Sequence, residues 1–523
     1  MDHGAGDKVV VIGAGVGGLA AALRLAHAGL HVTVLDSQAT PGGKMRTFDS
    51  VAGPVDAGPT VLTLRSVFDD LFESVGARLD DHLRLIPQTV LARHWWPDGS
   101  SLDLHADAEA SATAIAAFAG PRAETEFRRF HATTARLFAA FDAPMMRAAR
   151  PDPLAIAAAA LRAPQTWAAL LPGMTLARAL ALRFRDPRLR QLFGRYATYV
   201  GGSPYLSPAV LGLVWQAESQ GVWVVEGGMH RLAQTLAALA QTNGATILYN
   251  TTATRIVRQG GGVAGVALAD GSTLPADRVV FNGDPRALAT GLMGNSPRTA
   301  VRPTATEPRS LSAWVWAFAA RPIGVDLCHH NVFFANDPAQ EFAPIAAGQM
   351  PTDATLYVCA QDRGTGTAIT GPERFEIILN APPMDAPQPQ EEPRCRKATF
   401  DRLARFGLTF DPTPEASALT TPSGFARMFP ASMGSLYGRS PHGLMAALQR
   451  PTARTALPGL YLAGGGAHPG AGVPMATLSG KHAAEAILTD LALQSRSALT
   501  ATHGGTSTAS RTTAAARSRS SGS

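Results

Sequence analysis

The sequence predicts an α/β fold that is built on a parallel sheet and interrupted by an inserted α+β unit. Two glycine-rich loops support this prediction: one follows the apolar segment 9–12, and the other follows the apolar segment 460–462. Both loops precede a segment with helical periodicity, which is the strand–turn–helix order of open parallel sheets. Because the loops lie near opposite ends of the chain, we expect one discontinuous domain to contain both.

Residues 8–35 are predicted to form a strand, a helix and a second strand. The first strand, 9–12, is continuously apolar, as expected for a parallel strand whose two faces are covered. The helix carries apolar residues at helical spacing and ends near Gly29, and residues 31–35 form the second strand.

The turn after the first strand has the glycine pattern of a dinucleotide-binding site. Gly13 permits the tight turn, Gly15 lets the main chain approach a pyrophosphate, and Gly18 allows the helix to pack closely on the strand. Gly17 lies inside the same turn. Asp36 ends the second strand, where a carboxylate can accept hydrogen bonds from the ribose hydroxyls and repel a 2′-phosphate. We therefore predict a Rossmann-like site that disfavours NADP.

The segment that follows the acidic residue favours FAD over NAD. Gly42 and Gly43 would allow a second close approach to the diphosphate, and Lys44 or Arg46 could neutralise its charge. A plain NAD dehydrogenase would normally continue into another helix at this point.

The C-terminal loop is the second predicted anchor of the cofactor. Glycines follow the apolar strand, and a helix begins soon after them, so a glycine nest and a helix N-terminus both offer N–H groups. The residues assigned to the cofactor here are Gly465, Gly466, Val473, Pro474 and Met475. A cofactor that is held by both ends of the chain suits extended FAD.

Several further motifs resemble the carotenoid desaturase branch of the FAD-dependent amine-oxidase-like superfamily. The matching segments are 13–18, 42–46, 56–60, 227–229, 330–334, 380–383, 434–438 and 465–475. The resemblance covers about 9–491, and 468–472 is its most specific part. It implies a two-domain flavoprotein, with Pro59, Thr60 and Ala253 as further cofactor-binding residues.

Within this family the chain resembles the hydroxycarotenoid 3,4-desaturases, or methoxyneurosporene dehydrogenases, of purple bacteria, on the segments 43–46 and 473–476. This resemblance implies that FAD removes a hydride from the end of a 1-hydroxycarotenoid and that oxygen or a quinone reoxidises the flavin. It places the protein in carotenoid biosynthesis for photosynthesis. A phytoene-type desaturase or isomerase, a flavin amine oxidase and a non-enzymatic lipid-escort protein remain as alternatives.

No catalytic acid or base is assigned from the sequence, and no metal site is predicted. A carotenoid is a long apolar rod, so the inserted domain should supply an apolar tunnel. The candidates for its wall are Trp314, Trp316, Phe333, Phe334 and His468, with Phe318, Tyr196 and Tyr199 as similar ones. Ordinary core packing is the alternative for the aromatic residues, and hydrogen bonding to the main chain is the alternative for His468. A substrate hydroxyl would also need one polar partner, which the sequence does not identify.

Composition limits the other partners. The net charge is only +6, and no dense basic stripe is interleaved with aromatic residues, which argues against nucleic-acid binding. The three cysteines form no CxxC pair, so neither a zinc site nor a disulfide framework is expected. The absence of a charged, apolar leader predicts a cytoplasmic protein. The segment 154–171 could lie in the interface of the cytoplasmic face of the inner membrane, although internal helix packing is its alternative.

The predicted boundaries follow from these motifs. The FAD-binding domain comprises 1–100, 225–300 and 440–494, and the substrate and membrane-associating domain comprises 101–224 and 301–439. Residues 495–523 are a low-complexity tail that is predicted to be disordered. The sequence leaves open whether the protein forms a homo-oligomer.

Overall fold

A parallel five-stranded sheet forms the centre of the first domain. The computed structural model describes residues 7–162, 173–443 and 445–503. The strands of this sheet are, in spatial order, Leu460–Leu462, Arg278–Phe281, Lys8–Ile12, His31–Leu35 and Thr246–Leu248. All four pairings are parallel, so the loops after these strands meet at one edge. The α/β prediction and the predicted discontinuity of this domain are confirmed.

The two faces of the parallel sheet are covered differently. On one face, the helices Val16–His27, Ser66–Glu73, His230–Thr242 and Val473–His503 pack with the strands in one apolar core. The other face packs against an antiparallel meander and the short helix Arg286–Ala289. The meander strands are Ala253–Gln259, Gly262–Leu268 and Thr273–Pro275.

The second domain is built on a mixed eight-stranded sheet. Seven strands follow in the order Thr409–Asp411, Ser312–Ile323, Glu373–Ala381, Leu356–Ala360, His330–Phe333, Val90–Trp95 and Ser101–His105, and Leu419–Thr420 pairs with the second of them. Only the pairing of His330–Phe333 with Val90–Trp95 is parallel among these described strands. The predicted strands at 313–319 and 375–379 are confirmed.

One predicted boundary is wrong, because the strand Val90–Trp95 lies in the second sheet although 1–100 was predicted to belong to the first domain. Val90–Trp95 pairs with His330–Phe333, more than 200 residues away in the chain, and local periodicity does not reveal such a distant partner.

The remaining described helices pack on the two domains. They are Leu79–His82, Ala108–Ala119, Pro121–Phe141, Pro153–Arg162, Leu176–Arg183, Pro187–Gly194, Trp215–Ser219, Arg286–Ala289, Pro338–Ala346, Glu391–Arg396, Arg402–Arg405 and Pro422–Met428. Two small ribbons, Thr47–Phe48 with Val55–Asp56 and Leu85–Pro87 with Trp223–Val225, complete the described strands.

The C-terminal helix continues to His503, beyond position 495 at which the disordered tail was predicted to begin. Its alanines and leucines are good helix formers, which explains the extension. Residues 504–523 of the predicted tail lie outside the described residues. Among the helices described, none combines the length and the apolar character that crossing a membrane requires.

Candidate active site

The glycine turn after the first strand has the predicted form. Gly13 has a φ of +102° and donates its N–H to the carbonyl of Leu35 at 2.7 Å. A Cβ on Gly18 would lie 2.2 Å from the carbonyl oxygen of Gly13, so only glycine lets the helix approach the strand this closely. The structural tasks predicted for these two glycines are confirmed.

Gly15 and Gly17 serve different purposes. A Cβ on Gly15 would meet only the Asn282 amide nitrogen at 3.0 Å and the Gly42 carbonyl at 3.9 Å, so most of its surroundings are free for a ligand. A Cβ on Gly17 would lie 2.7 Å from the amide nitrogen of Gly464. Gly17 therefore permits contact between the two predicted anchors, a structural role that the sequence did not reveal.

Asp36 is buried at the end of the second strand beside this turn. Its carboxylate accepts hydrogen bonds from the N–H of Ala14 at 2.7 Å and of Gln38 at 2.8 Å. Burial raises the pKa of Asp36, and the two N–H groups oppose that shift. Its carbonyl accepts from Thr251, just before the strand that begins at Ala253. The acid is thus held rigidly next to the turn, and its oxygens retain acceptor capacity for a ribose.

The second glycine pair lies directly against the first turn. Gly42 donates its N–H to the carbonyl of Ala14 at 2.9 Å and forms a bridge with Gly15. Gly42 and Gly43 have φ values of +116° and +60°, so both use the conformational freedom of glycine. The two glycine segments therefore form one surface, as a diphosphate site requires.

Lys44 and Arg46 are directed toward the second domain. The Lys44 ammonium donates to the carbonyl of Leu436 at 2.5 Å, and burial lowers the pKa of Lys44 to about 8. The Arg46 guanidinium donates to the Thr420 hydroxyl at 2.6 Å and lies over the Phe425 ring. These contacts occupy both cations, and neutralisation of a diphosphate by either one stays a prediction.

The second anchor combines a held loop with a helix N-terminus. Arg450 donates to the carbonyls of Gly465 at 2.8 Å and Tyr437 at 2.9 Å, which fixes the loop. A Cβ on Gly466 would lie 2.4 Å from the Pro285 ring. A helix was predicted to follow these glycines, and it begins at Val473, so Val473, Pro474 and Met475 lie in its first turn rather than before it. Met475 packs between the helices behind it.

Two site-forming residues lacked a functional assignment from the sequence. The Asn282 amide donates to the carbonyl of Gly13 at 3.0 Å, and its Oδ1 lies 2.7 Å from the Cβ position of Gly464, so it separates the two anchors. The buried Asp56 carboxylate accepts from the N–H of Met229 at 2.6 Å and of His230 at 3.1 Å. Two features of the sequence could have identified these residues. Asn282 directly follows an apolar strand, and Asp56 lies in the segment 56–60, which matches a family motif.

A cavity of about 740 Å³ opens between the cofactor loops and the second domain. The cofactor side of its wall is formed by Gly58, Pro59, Thr60, Gly472, Val473 and Pro474. The second domain contributes Trp96, Tyr199, Phe334, Tyr357 and Ile378, among others. Pro59, Thr60, Val473 and Pro474 are thus brought together as predicted, at the place where cofactor and substrate would meet.

Most of the residues that were predicted to line the tunnel do not line this cavity, so their assignment is wrong. Trp314, Trp316 and Phe333 are fully buried in the core on the other face of the second sheet, together with Phe318. The Trp314 and Trp316 indole N–H groups donate to Glu391 and Thr399. Of the predicted aromatic residues, Phe334 and Tyr199 line the cavity, whereas Tyr196 lies in the core behind it. Side chains alternate between the two faces of a strand, but the sequence does not show which face meets the cavity.

His468 lies outside the described cavity wall and contacts main chain. Its Nε2–H donates to the carbonyl of Ala148 at 2.9 Å, and the ring stacks on His482, which contacts Arg147. Burial lowers the pKa of His468 to about 4, so the imidazole is neutral near neutral pH. Its tunnel assignment is therefore wrong, and the structural alternative describes its contacts.

His329, His330 and Cys359 form a buried cluster whose ligand atoms lie within 4.8 Å of one another. The His329 ring contacts the carbonyl of Arg363, and the His330 ring contacts the Tyr357 hydroxyl. Burial raises the pKa of the Cys359 thiol well above its ordinary value. The thiol therefore stays protonated in these surroundings.

The fold and the site together define a two-domain flavin-dependent oxidoreductase. The open space at Gly15, the adjacent acid and the second anchor fit an extended FAD, with its ADP half at the first turn and its flavin half toward Val473. Residues 16–321 match the family model of the flavin containing amine oxidoreductases.

Curated relatives cover almost the whole chain. A hydroxyneurosporene desaturase of Cereibacter sphaeroides is 66% identical over 94% of this chain and 99% of its own length. One of Rhodobacter capsulatus is 55% identical over 92% and 98%. The chain therefore belongs to the flavin containing amine oxidoreductases and, within them, to the carotenoid desaturases, and FAD is its cofactor.

Solved structures agree on the fold. Cyclohexylamine oxidase from Brevibacterium oxydans superposes with a TM-score of 0.55 at 19% identity, over 93% of this chain and 99% of that one. The predicted amine-oxidase-like architecture is confirmed.

Proposed function

We propose that the protein introduces a C-3,4 double bond into a 1-hydroxycarotenoid, such as hydroxyneurosporene or methoxyneurosporene. The observation that carries this proposal is the cavity in which the cofactor loops meet apolar walls of the second domain. Three relatives of 46–66% identity, all named hydroxyneurosporene desaturase, support the substrate class. Amine oxidases share the fold at only 13–19% identity among the solved structures, which carries no argument for an amine substrate.

The residues of the chain would bind and orient the reacting end of the substrate and keep water away from it. When bound, FAD supplies a hydride acceptor for one saturated carbon while a proton leaves the neighbouring carbon. Pro59, Thr60 and Ile378 would hold the polyene end beside the start of the C-terminal helix, and Phe334 and Trp96 would exclude water from it. The main task of the protein is to place the reacting carbons correctly beside the flavin, since the cofactor itself accepts the hydride.

The proposed activity is tested by product analysis. Purified protein is incubated with FAD, vesicles and hydroxyneurosporene, and the carotenoids are extracted and their absorption spectra recorded. We expect one product with one more conjugated double bond and therefore a longer-wavelength spectrum. Turnover of phytoene or of simple amines without turnover of hydroxyneurosporene would contradict the proposal. Running the assay without air, with and without added quinone, identifies the electron acceptor, for which we propose oxygen or a quinone.

We further propose that the protein binds the cytoplasmic face of the inner membrane peripherally, since its substrate is dissolved in lipid. Leu154 and Leu161 are 81% and 75% exposed and stand seven positions apart on the helix Pro153–Arg162. This spacing puts both on one helix face, where they could enter the acyl boundary. The remainder of the predicted membrane segment, 163–171, lies outside the described residues. The exposed Tyr205, which also lines the cavity, offers a second contact with the bilayer.

Replacing Leu154 and Leu161 together with glutamate should weaken vesicle binding. Because burying a leucine side chain stabilises by about 1.5–3 kcal/mol, the double variant should lose at least about tenfold in partitioning. Co-sedimentation with phosphatidylglycerol-containing vesicles measures this loss. The control is Leu292→Glu, which changes a 52% exposed leucine elsewhere on the chain. Equal sedimentation of the double variant and the wild type would contradict the assignment of this helix.

A further inference from the structure

A buried polar cluster interrupts the apolar wall of the cavity. The Arg195 Nη2 donates to the Tyr199 hydroxyl at 2.8 Å, and the Tyr199 hydroxyl donates to Glu218 Oε1 at 2.5 Å. Tyr196 donates to the other carboxylate oxygen at 2.6 Å from the core behind the wall. Arg195, Tyr199 and Glu218 all line the cavity, and we call these three residues the polar cluster.

The polar cluster lies at the cofactor end of the cavity. Ala217, the residue before Glu218, packs against the same apolar group as Met475, which lies at the start of the C-terminal helix. Tyr199 packs in one apolar group with Val61, which directly follows the cavity-lining Thr60. The cluster is thus joined to both loops that the cofactor would contact.

The polar cluster can form hydrogen bonds with one further group. Each oxygen of a carboxylate can accept two hydrogen bonds, and each oxygen of Glu218 accepts one from a tyrosine among the described contacts. A hydroxyl group can donate to such an oxygen and accept from the neighbouring guanidinium. An apolar ligand at the same place would remove water from the cluster without replacing its hydrogen bonds, which costs about 1–3 kcal/mol.

We infer that Arg195, Tyr199 and Glu218 bind the tertiary hydroxyl of the carotenoid and thereby select hydroxylated substrates. This inference rests on the proposed function. In a 1-hydroxycarotenoid the oxygen is only a few bonds from the C-3,4 bond, so its partner must lie at the cofactor end. Two other acidic groups of the cavity wall fit less well. Asp98 is exposed and accepts hydrogen bonds from Ser100. Glu341 is bonded to Asn380, and its neighbour Phe342 packs in a separate apolar group with Leu311 and Ile345.

The test compares two substrates that differ only in the hydroxyl. Wild-type protein and the variants Tyr199→Phe and Glu218→Gln are assayed with a 1-hydroxycarotenoid and with its analogue that carries hydrogen in place of the hydroxyl. We expect the wild type to prefer the hydroxylated substrate about 10- to 100-fold in kcat/KM, which corresponds to the 1–3 kcal/mol above. Both variants should reduce this preference to less than about threefold.

The matched control is Tyr205→Phe, which removes a hydroxyl from another tyrosine of the same cavity wall and should keep the preference. Flavin absorbance of each purified variant reports whether it is folded. Tyr199→Phe carries the test alone if Glu218→Gln loses the flavin, since phenylalanine keeps the ring. An unchanged preference in the folded variants would overturn the inference while leaving the desaturase proposal intact. A wild type that converts neither substrate would overturn the proposed function and the inference together.

Discussion

A Gly15→Val variant is expected to purify as a folded protein without bound flavin. The φ of Gly15 is −70°, which any residue adopts, and a Cβ there meets only two protein atoms within 4 Å. The added side chain would instead fill the space that a pyrophosphate needs above the helix N-terminus. We expect at least a hundredfold loss of FAD affinity, or about 2.7 kcal/mol. Absorbance near 450 nm after purification, and titration of the apoprotein with FAD, measure this loss.

Two other glycines make the controls for this variant. Gly371→Val adds a side chain where nothing lies within 4 Å and the φ is ordinary, so it should bind FAD like the wild type. Gly18→Val would place its Cβ 2.2 Å from the Gly13 carbonyl and should destabilise the fold itself. Normal flavin content in a folded Gly15→Val protein would show that the cofactor does not rest on this turn.

The first anchor could be predicted because its determinants are local. The strand Lys8–Ile12, the glycine turn and the acid at the end of the second strand all lie within the first 36 residues. Gly13 and Gly18 are required by the strand–turn–helix unit itself, Gly13 by its φ of +102° and Gly18 by its approach to the Gly13 carbonyl. Gly17 differs, since its close contacts are with Asn282 and with residues 464 and 476, all far along the chain.

The cavity wall could not be predicted in the same way. Residues 313–319 lie in a strand that carries bulky residues on one face and small ones on the other. The large tryptophans suggested a lining, yet the face that meets the cavity carries Ala313 and Val315, opposite Asn380 and Ile378. Which face is covered depends on the packing of distant helices against the other side. The polar cluster was hidden for a related reason, since Tyr199 and Glu218 are 19 positions apart in the chain.

An Asp56→Ala variant should lose about 3–5 kcal/mol of stability, because two buried N–H groups would be left without an acceptor at the start of the helix His230–Thr242. The same residue connects the domains through its main chain, which exchanges two hydrogen bonds with the Gln361 amide at 3.0 and 2.8 Å. The Asp56 carboxylate lies so close to Gly228 that only glycine fits at position 228, since a Cβ there would lie 2.6 Å from Asp56 Oδ2.

Release of flavin on heating reports this loss, since free FAD fluoresces more strongly than the bound cofactor. We expect Asp56→Ala to release flavin at a temperature several degrees below the wild type, and Asp56→Asn, which keeps one acceptor oxygen, to fall between them. Asp49→Ala is the matched control, because Asp49 lies in the same ribbon and is exposed. A release temperature for Asp56→Ala equal to that of Asp49→Ala would mean that the helix start finds other partners. Since Asp56 stands four positions before Thr60 in the cavity wall, the destabilised variant should also turn over hydroxyneurosporene more slowly.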